Sequence, residues 1–365
     1  MLDIAAPLDR AREAARVAGV DAVIAASPGM VAFLTGHVVP AQLAHPSRDG
    51  RLEKPTIAIV TQDDAVTVGL RPDPATGRSI PLVGGGLDDS PGGFEPLAAA
   101  ARDCGLDGRL VAVESAFVPA AAVQALGNGI PRASLQPLDD LLRRARAQKS
   151  ASERDGIRAA LALCDAGQDA ARAAVAPGAS ELDLYCAAVA AMNGVGADQV
   201  LSLGEIQVGV RGERIAGPPT SAAISTGELA MCDLAPRHAN GFWGDSCTTI
   251  ACGEPSARQT SDWRRLRDAL EAGRRTLRPG VAAGEVHRAV IEVLPDMPGH
   301  AGHGIGRDHF EEPILLKDNP EPLEEGSIIV IEPGIYGQGL GMRIEHAFEV
   351  SADGGIPLSM FDLEL

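Results

Sequence analysis

Helical and strand-like patterns alternate along the first part of the chain. Residues 9–17 read as a helix, and Asp21-Ala-Val-Ile-Ala-Ala is a short apolar run that predicts a buried strand. Thr56-Ile-Ala-Ile-Val and Ala65-Val-Thr-Val-Gly-Leu predict two strands around the turn Gln62-Asp63-Asp64. Residues 95–104 predict a helix, and Arg109-Leu-Val-Ala-Val-Glu another strand. Residues 72–93 are rich in Gly, Pro and Asp and predict loop. The alternation gives an α/β domain over residues 1–145. From 138 to 176 the pattern changes to a long run of helix formers, which marks the junction with a second domain. Ser150 or Ser152 is the expected cap of its second helix, with Glu153 in the first turn. Pro177-Gly178 stops that helix, and Ser180 caps the next, over residues 181–193. Beyond it, 229–234 and 242–251 predict strands joined by a turn containing Asn240-Gly241, and 261–277 and 283–294 predict helices. Residues 327–332 and 342–350 predict further strands. Strands and helices without regular βαβ order give an α+β domain over 146–365.

Composition narrows the function. Of 365 residues, 45% are hydrophobic and 22% charged, as in ordinary globular chains; the 42 Gly and 26 Pro show no period and imply many turns. A net charge of −17 argues against nucleic acid and anionic membranes as partners. No apolar run is long enough to span a membrane, and the amino-terminal sequence carries charges where a signal peptide needs an apolar core. The six cysteines form no CxxC pair. These features lead to the expectation of a soluble cytoplasmic protein with free thiols.

Several chemistries fail for want of a setting. Val83-Gly-Gly-Gly and Gly337-Gln-Gly-Leu-Gly lack the strand–GxGxxG–helix context, there is no GK[ST] sequence, and no GxSxG elbow occurs. Ser246 reads as a polar strand residue. Cys232, Cys247 and Cys252 would make a thiolate cluster if their strands paired suitably, but read better as small buried residues. The carboxylates say more. Asp233, Asp245, Glu332 and Glu345 all lie in or beside apolar strands. An isolated buried carboxylate costs several kcal/mol or shifts its pKa, so four of them need shared cations or several paired bases. His303, in Gly302-His-Gly-Ile-Gly, adds a nitrogen ligand. The set suits two divalent ions ~3.5–4 Å apart. The alternative is pairing of the acids with Arg343, Arg307 or Arg237.

Asp233-Leu-Ala-Pro-Arg, Gly241-Phe-Trp-Gly-Asp-Ser, Gly302-His-Gly-Ile-Gly, Ile331-Glu-Pro-Gly-Ile-Tyr and Arg343-Ile-Glu, in that order, resemble the creatinase/prolidase/aminopeptidase P superfamily. Arg146-Ala-Gln-Lys-Ser-Ala-Ser-Glu resembles its interdomain helix, and Asp21-Ala-Val-Ile with Phe33-Leu-Thr-Gly its amino-terminal domain. The resemblance implies a creatinase-type α/β amino-terminal domain and a pita-bread α+β carboxy-terminal domain, usually as a homodimer. It makes Asp233, Asp245, His303, Glu332 and Glu345 the ligands of two metal ions, by analogy Mn, Co, Zn or Fe. It implies a metal-bridging hydroxide as nucleophile, Glu332 as proton shuttle, and an Xaa-Pro dipeptide or other short peptide as substrate. Hydrolysis or lysis of a small non-peptide substrate, and a non-catalytic binding role, are the alternatives on the same scaffold.

Three departures bear on the activity. Family members place the second Asp about eleven positions after the first, whereas Asp245 is twelve after Asp233. The extra residue belongs either in the turn at 238–241 or in a strand bulge that would turn one acid away. The family's second histidine, about seven after the ligand histidine, is Phe310 here, with His309 beside it. A substrate-binding histidine upstream of the first Asp is replaced by Arg214-Ile-Ala-Gly-Pro-Pro. Weak Xaa-Pro cleavage follows as an expectation, unless a register shift brings His309 to the metal side. His300, His238 and His346 are alternative donors. Arg211, Arg214 and Arg343 are candidate substrate-binding cations, suited to an anionic group. His37 and Arg71 are expected to be exposed polar residues within reach of substrate, on an amino-terminal domain whose edge walls the active site.

Overall fold

A computed structural model describes residues 5–39, 55–69, 78–81, 93–201, 206–214 and 217–365. The chain divides into two compact units, Met1–Arg146 and Ala147–Leu365.

The first unit contains α1 (Ala5–Val17), β1 (Ala22–Ala25), α2 (Pro28–Thr35), β2 (Ile57–Thr61), β3 (Ala65–Gly69), β4 (Arg78–Pro81), α3 (Glu95–Asp103), β5 (Leu110–Val113), α4 (Ala120–Gly129) and β6 (Ser134–Pro137). Among the described residues its sheet has the order β4-β3-β2-β1-β5-β6. The central strand β1 runs antiparallel to β2 and parallel to β5. Ala22 and Ile24 pack in one apolar cluster with Leu97 and Leu126. Val23 and Ala25 pack in another with Phe33 and Leu34. Strand side chains alternate faces, so a strand covered on both sides needs apolar residues throughout, which is why β1 reads as an unbroken hydrophobic run. β4 corrects the expectation of loop across 72–93. Arg78-Ser-Ile-Pro carries little apolar signal because it is an edge strand, paired through Thr67↔Ser79 to β3, and edges tolerate proline. The edge strand β6 is missed for the same reason.

A short helix, α5 (Arg143–Ala147), precedes the second unit's long helix α6 (Ala151–Ala174). Ser150, not Ser152, is its cap: Ser150 Oγ accepts from the Glu153 N–H, and the Glu153 carboxylate accepts from the Ser150 N–H. Ser180 and Asp183 do the same for α7 (Glu181–Gly194). There follow β7 (Ala197–Leu201), β8 (Ile206–Val208), β9 (Leu229–His238), β10 (Ser246–Ala251), α8 (Ala257–Thr276), α9 (Ala283–Val293), β11 (Gly302–Gly304), β12 (Glu311–Ile314), β13 (Ile328–Ile331), β14 (Gly334–Gly337), β15 (Leu340–Arg343), β16 (His346–Glu349) and β17 (Ile356–Pro357). α8 starts earlier than its apolar pattern suggests because Ser256 and Gln259 form a capping box. β9 pairs with β10, β7 and β8, while β12-β11-β13-β16-β17 form a second sheet.

Two cores fix the strands that matter. Leu163 and Leu184, from α6 and α7, pack with Cys232 and Leu234 of β9. Leu266, Leu270, Val286 and Val290, from α8 and α9, pack with Ile329 and Ile331 of β13. Burying each such side chain contributes about 1.5–3 kcal/mol, so the residue after β13, Glu332, emerges from a rigid base. The expected single strand over 342–350 is in fact two. β15 pairs with β14 and β16 with β13, and Glu345 between them turns toward β10.

Candidate metal centre

The hairpin β9–β10 sets the first two acids. Asp233 lies opposite Cys247 and Leu234 opposite Ser246, and the same offset holds at Arg237↔Trp243. The extra residue is therefore absorbed in the turn 239–241, closed by the His238 N–H donating to the Phe242 carbonyl at 2.9 Å, with Gly241 at φ +83°. Carrying this register places Asp245 across from Ala235, two residues beyond Asp233. Both acids thus share a face.

The other candidate ligands arrive from the second sheet and its flanks. Glu345 exchanges backbone hydrogen bonds with Cys247, at 2.8 and 3.2 Å, so Cys247 is flanked by Asp233 and Glu345. His303 pairs with Val330, and the Glu332 N–H donates to Ala301 at 3.0 Å, which brings the two side chains to the same end of β13. A Cβ on Gly302, at φ +146°, would lie 1.9 Å from the Val330 carbonyl, so the residue before the ligand histidine must be glycine. Three overlapping sets have ligand atoms within 4.8 Å of one another: Asp233, Asp245 and Glu345; His303, Glu332 and Glu345; Asp245, His303 and His309. All five ligands suggested by the resemblance lie in these sets, and His309 joins them.

The chemistry of this donor set fits cations. His303 Nδ1 lies 2.8 Å from the Gly304 carbonyl, which can only accept, so in the neutral ring Nδ1 carries the proton. The lone pair of Nε2 then faces Asp245 Oδ2 at 3.4 Å and Glu332 Oε1 at 3.6 Å. Acceptors facing acceptors in a buried pocket are balanced by a cation between them, and the Nδ1–carbonyl bond is the usual support of a metal-bound imidazole. Glu332 Oε1 is buried and makes no well-formed hydrogen bond. Burial, reinforced by Asp245 and Glu332, pushes the Glu345 carboxyl well above the ordinary carboxylate range. Burial works the same way on Asp245, but His309 and His303 outweigh it and hold that carboxyl below the usual range. Asp233 is paired with Arg343, whose Nη1 lies 3.5 Å from the Tyr336 hydroxyl. The other two arginines have different partners: Arg307 bonds to the Asn240 carbonyl and Arg237 to Asp198.

Glu345 gives a pH prediction. Its folded-state pKa is raised, so ionisation is disfavoured in the metal-free fold. That fold loses stability as pH rises from the ordinary glutamate value of about 4.3 toward the raised value. Thermal melts in chelator should show this loss, and Glu345→Gln should flatten it; an unchanged pH profile in the variant refutes the assignment.

Two histidines complete the site. His300 Nδ1 lies 3.2 Å from Glu332 Oε1, and this contact raises the His300 pKa. His309 Nε2 lies 2.7 Å from Asp245 Oδ2. The pairing between β11 and β12 shifts register after His303, passing from Ile314 to Glu311. His309 lies in the turn just before β12, with its imidazole directed at Asp245. Phe310, 48% exposed, stacks on the His303 ring at 3.7 Å.

Other expected residues lie elsewhere in their contacts. The Arg211 guanidinium is bound to the buried Glu181 at 2.7 Å and to the Pro218 carbonyl, which makes it a brace of the 209–213 turn. Arg214 is exposed. His37 is 5% exposed, correcting its expected surface position, and Arg71 lies outside the described residues. His238 Nδ1 accepts from the Asn240 N–H inside the hairpin turn. His346 packs on Phe361, and burial lowers its pKa to about 4. Cys232 and Cys247 lie on opposite faces of their sheet, opposite Thr248 and Asp233, so no thiolate cluster forms; burial pushes Cys232 up to about 12. Tyr336, Lys149 and Glu311 were not picked out by sequence as candidates for the site, although the motifs quoted above contain Tyr336 and Lys149.

Comparison with known proteins agrees with this geometry. The Metallopeptidase family M24 profile matches residues 155–352, which include every ligand named above. The chain belongs to metallopeptidase family M24. The Creatinase/Prolidase N-terminal domain matches residues 7–148. The probable dipeptidase PepE of Mycobacterium tuberculosis is 30% identical over 233 residues, 62% of this chain and 62% of that protein. The Xaa-Pro dipeptidase of Lactobacillus helveticus is 34% identical over 154 residues, 39% of this chain and 41% of the relative. These matches thus span less than two thirds of the relatives' length. Among solved structures, dipeptidase PepE from Mycobacterium ulcerans superposes with a TM-score of 0.80 at 25% identity, covering 99% of this chain and 97% of that one. Xaa-Pro dipeptidase from Bacillus anthracis gives 0.83 at 20% identity over 100% and 99%. The fold is therefore the creatinase-type α/β domain followed by the pita-bread α+β domain of these M24 structures.

Proposed function

We propose that this M24 member is a dipeptidase that works with two divalent metal ions held by Asp233, Asp245, His303, Glu332 and Glu345. The observation that carries the reading is the convergence of three overlapping ligand sets, with His303 Nε2 directed at two carboxylates. When bound, the metals supply Lewis-acid activation of water and of the scissile carbonyl. The chain supplies the rest. Glu332, beside His300, is placed to take a proton and pass it to the leaving amine. His309, whose Nε2 lies 2.7 Å from Asp245 Oδ2, would give its ring N–H to charge developing on the carbonyl oxygen once Asp245 serves a metal. Phe310 forms an apolar wall over His303.

The expectation of weak Xaa-Pro cleavage rested on two absent donors. His309 supplies one of them from the neighbouring position, so dipeptide hydrolysis becomes the favoured activity. The segment from Arg211 to Pro219 still has no histidine, and the exposed Arg214 favours substrates with an anionic group, including the small non-peptide amides of the second reading. A metal-depleted sample reloaded with Mn, Co, Zn or Fe, and assayed on Ala-Pro, other dipeptides and small amides, tests both. Hydrolysis of dipeptides that vanishes in chelator is the expected result. Turnover of small amides alone supports the second reading, and no turnover with any fully loaded metal refutes both. A cytoplasmic homodimer remains the expected assembly, checked by light scattering.

A further inference from the structure

His309 lies on the turn between β11 and β12, and a position two residues from a register shift needs anchors if its imidazole is to stay by Asp245. One anchor is internal to the turn. The Glu311 carboxylate accepts from the Arg307 N–H at 2.8 Å and the Asp308 N–H at 3.2 Å, and from Lys149 Nζ at 2.8 Å. It fills the space beside Gly306, where a Cβ would lie 2.7 Å from Glu311 Oε1. The second anchor ties this turn to the hairpin that carries Asp245. Arg307, 7% exposed, donates from Nη1 to the Asn240 carbonyl at 2.7 Å and lays its guanidinium over the Phe242 ring at 3.8 Å. The Trp243 N–H adds a bond to the Gly306 carbonyl at 2.9 Å. A buried guanidinium is retained when its donors and its face are used, and here Nη1 and the face both engage the hairpin turn.

We propose that Arg307 is a positioning residue that clamps the His309 turn to the hairpin turn 239–241 and so fixes the His309–Asp245 contact. The two departures in spacing meet at this clamp. The residue added between Asp233 and Asp245 lies in the turn that presents the Asn240 carbonyl, and the histidine displaced by one position is the one the clamp holds. The inference rests on the reading of His309 as the donor to the reacting carbonyl.

A mutant cycle on the metal-loaded enzyme tests it. Arg307→Leu should lower kcat between about tenfold and 10²-fold, the scale of a misplacement near 1 Å, with KM changed by less than about threefold. Added to His309→Ala, the same substitution should cost nothing further, because it acts through the missing group. Arg307→Lys should recover part of the loss, since an ammonium can reach the Asn240 carbonyl but cannot cover the ring. In the metal-free protein the His309 imidazole resonance, assigned by its absence in His309→Ala, should move in Arg307→Leu. Multiplying losses in the double variant, or an unchanged kcat and resonance, overturn the clamp. A His309→Ala variant with full kcat overturns the reading beneath it and is seen separately. If Arg307→Leu does not fold, Phe242→Leu removes the ring alone and is read by the same cycle.

Discussion

Asp245→Asn is expected to lower dipeptide kcat/KM by about 10³-fold or more while the fold survives. Asp245 belongs to two of the three ligand sets, so its loss weakens both proposed metal positions at once. Metal activation supplies several kcal/mol of transition-state stabilisation, and each 1.36 kcal/mol is tenfold in rate. Asn keeps the volume of the buried side chain, which is 2% exposed, and its N–H can meet the His303 Nε2 lone pair, but a neutral amide cannot replace the carboxylate as a ligand of either cation. The metal-free variant should not melt lower by more than a few degrees. It removes one negative charge from beside Glu345, and that gain offsets the lost contact with His309. Metal content and binding should fall with activity. Wild-type metal affinity together with full turnover would refute the role. His303→Ala should behave alike in activity but cost more stability, because it also removes the ring stacked under Phe310.

Much of the site was legible because buried charge is conspicuous in an apolar strand. Asp233 within Ala230-Met-Cys-Asp-Leu and Glu332 after Ile328-Ile-Val-Ile stand out for that reason, and each lies in one of the groups that could hold a metal ion. The capping signals at Ser150 and Ser180 were equally readable, since a cap is a local event between residues three apart. What the sequence left open was three-dimensional. Whether the residue between Asp233 and Asp245 lengthened a turn or bulged a strand depends on pairing across the hairpin, and only the offset at Arg237↔Trp243 decides it. The break at Glu345 was hidden because residues 342–350 alternate apolar and polar side chains like one continuous strand, while their hydrogen bonds go to β14 on one side and to β13 on the other. Arg211 looked like a substrate cation because its partner, Glu181, is thirty positions away on the first turn of α7. Lys149 and Glu311 are 162 positions apart, and nothing local signals their pairing.

His309→Ala is expected to lower kcat by about 10²–10³, the cost of losing one donor to a developing oxyanion, with a smaller change in KM. The argument is geometric. Phe310 occupies the position where relatives are expected to carry a histidine, and a phenyl ring cannot donate. The preceding residue faces inward instead, from the turn ahead of β12, with His309 Nε2 against Asp245 Oδ2. Its ring lies 5.7 Å from that of His303 and 5.9 Å from that of Trp243, so it is enclosed on two sides. Phe310→Ala is the contrasting variant. It opens the apolar wall without removing a donor, so it should raise KM more than it lowers kcat. Metal binding should be nearly unchanged in Phe310→Ala, because the Gly304 carbonyl still fixes the His303 ring. The opposite pattern, with kcat intact in His309→Ala and lost in Phe310→Ala, would place the donor elsewhere. His300, already within 3.2 Å of Glu332, would then be the residue to substitute next.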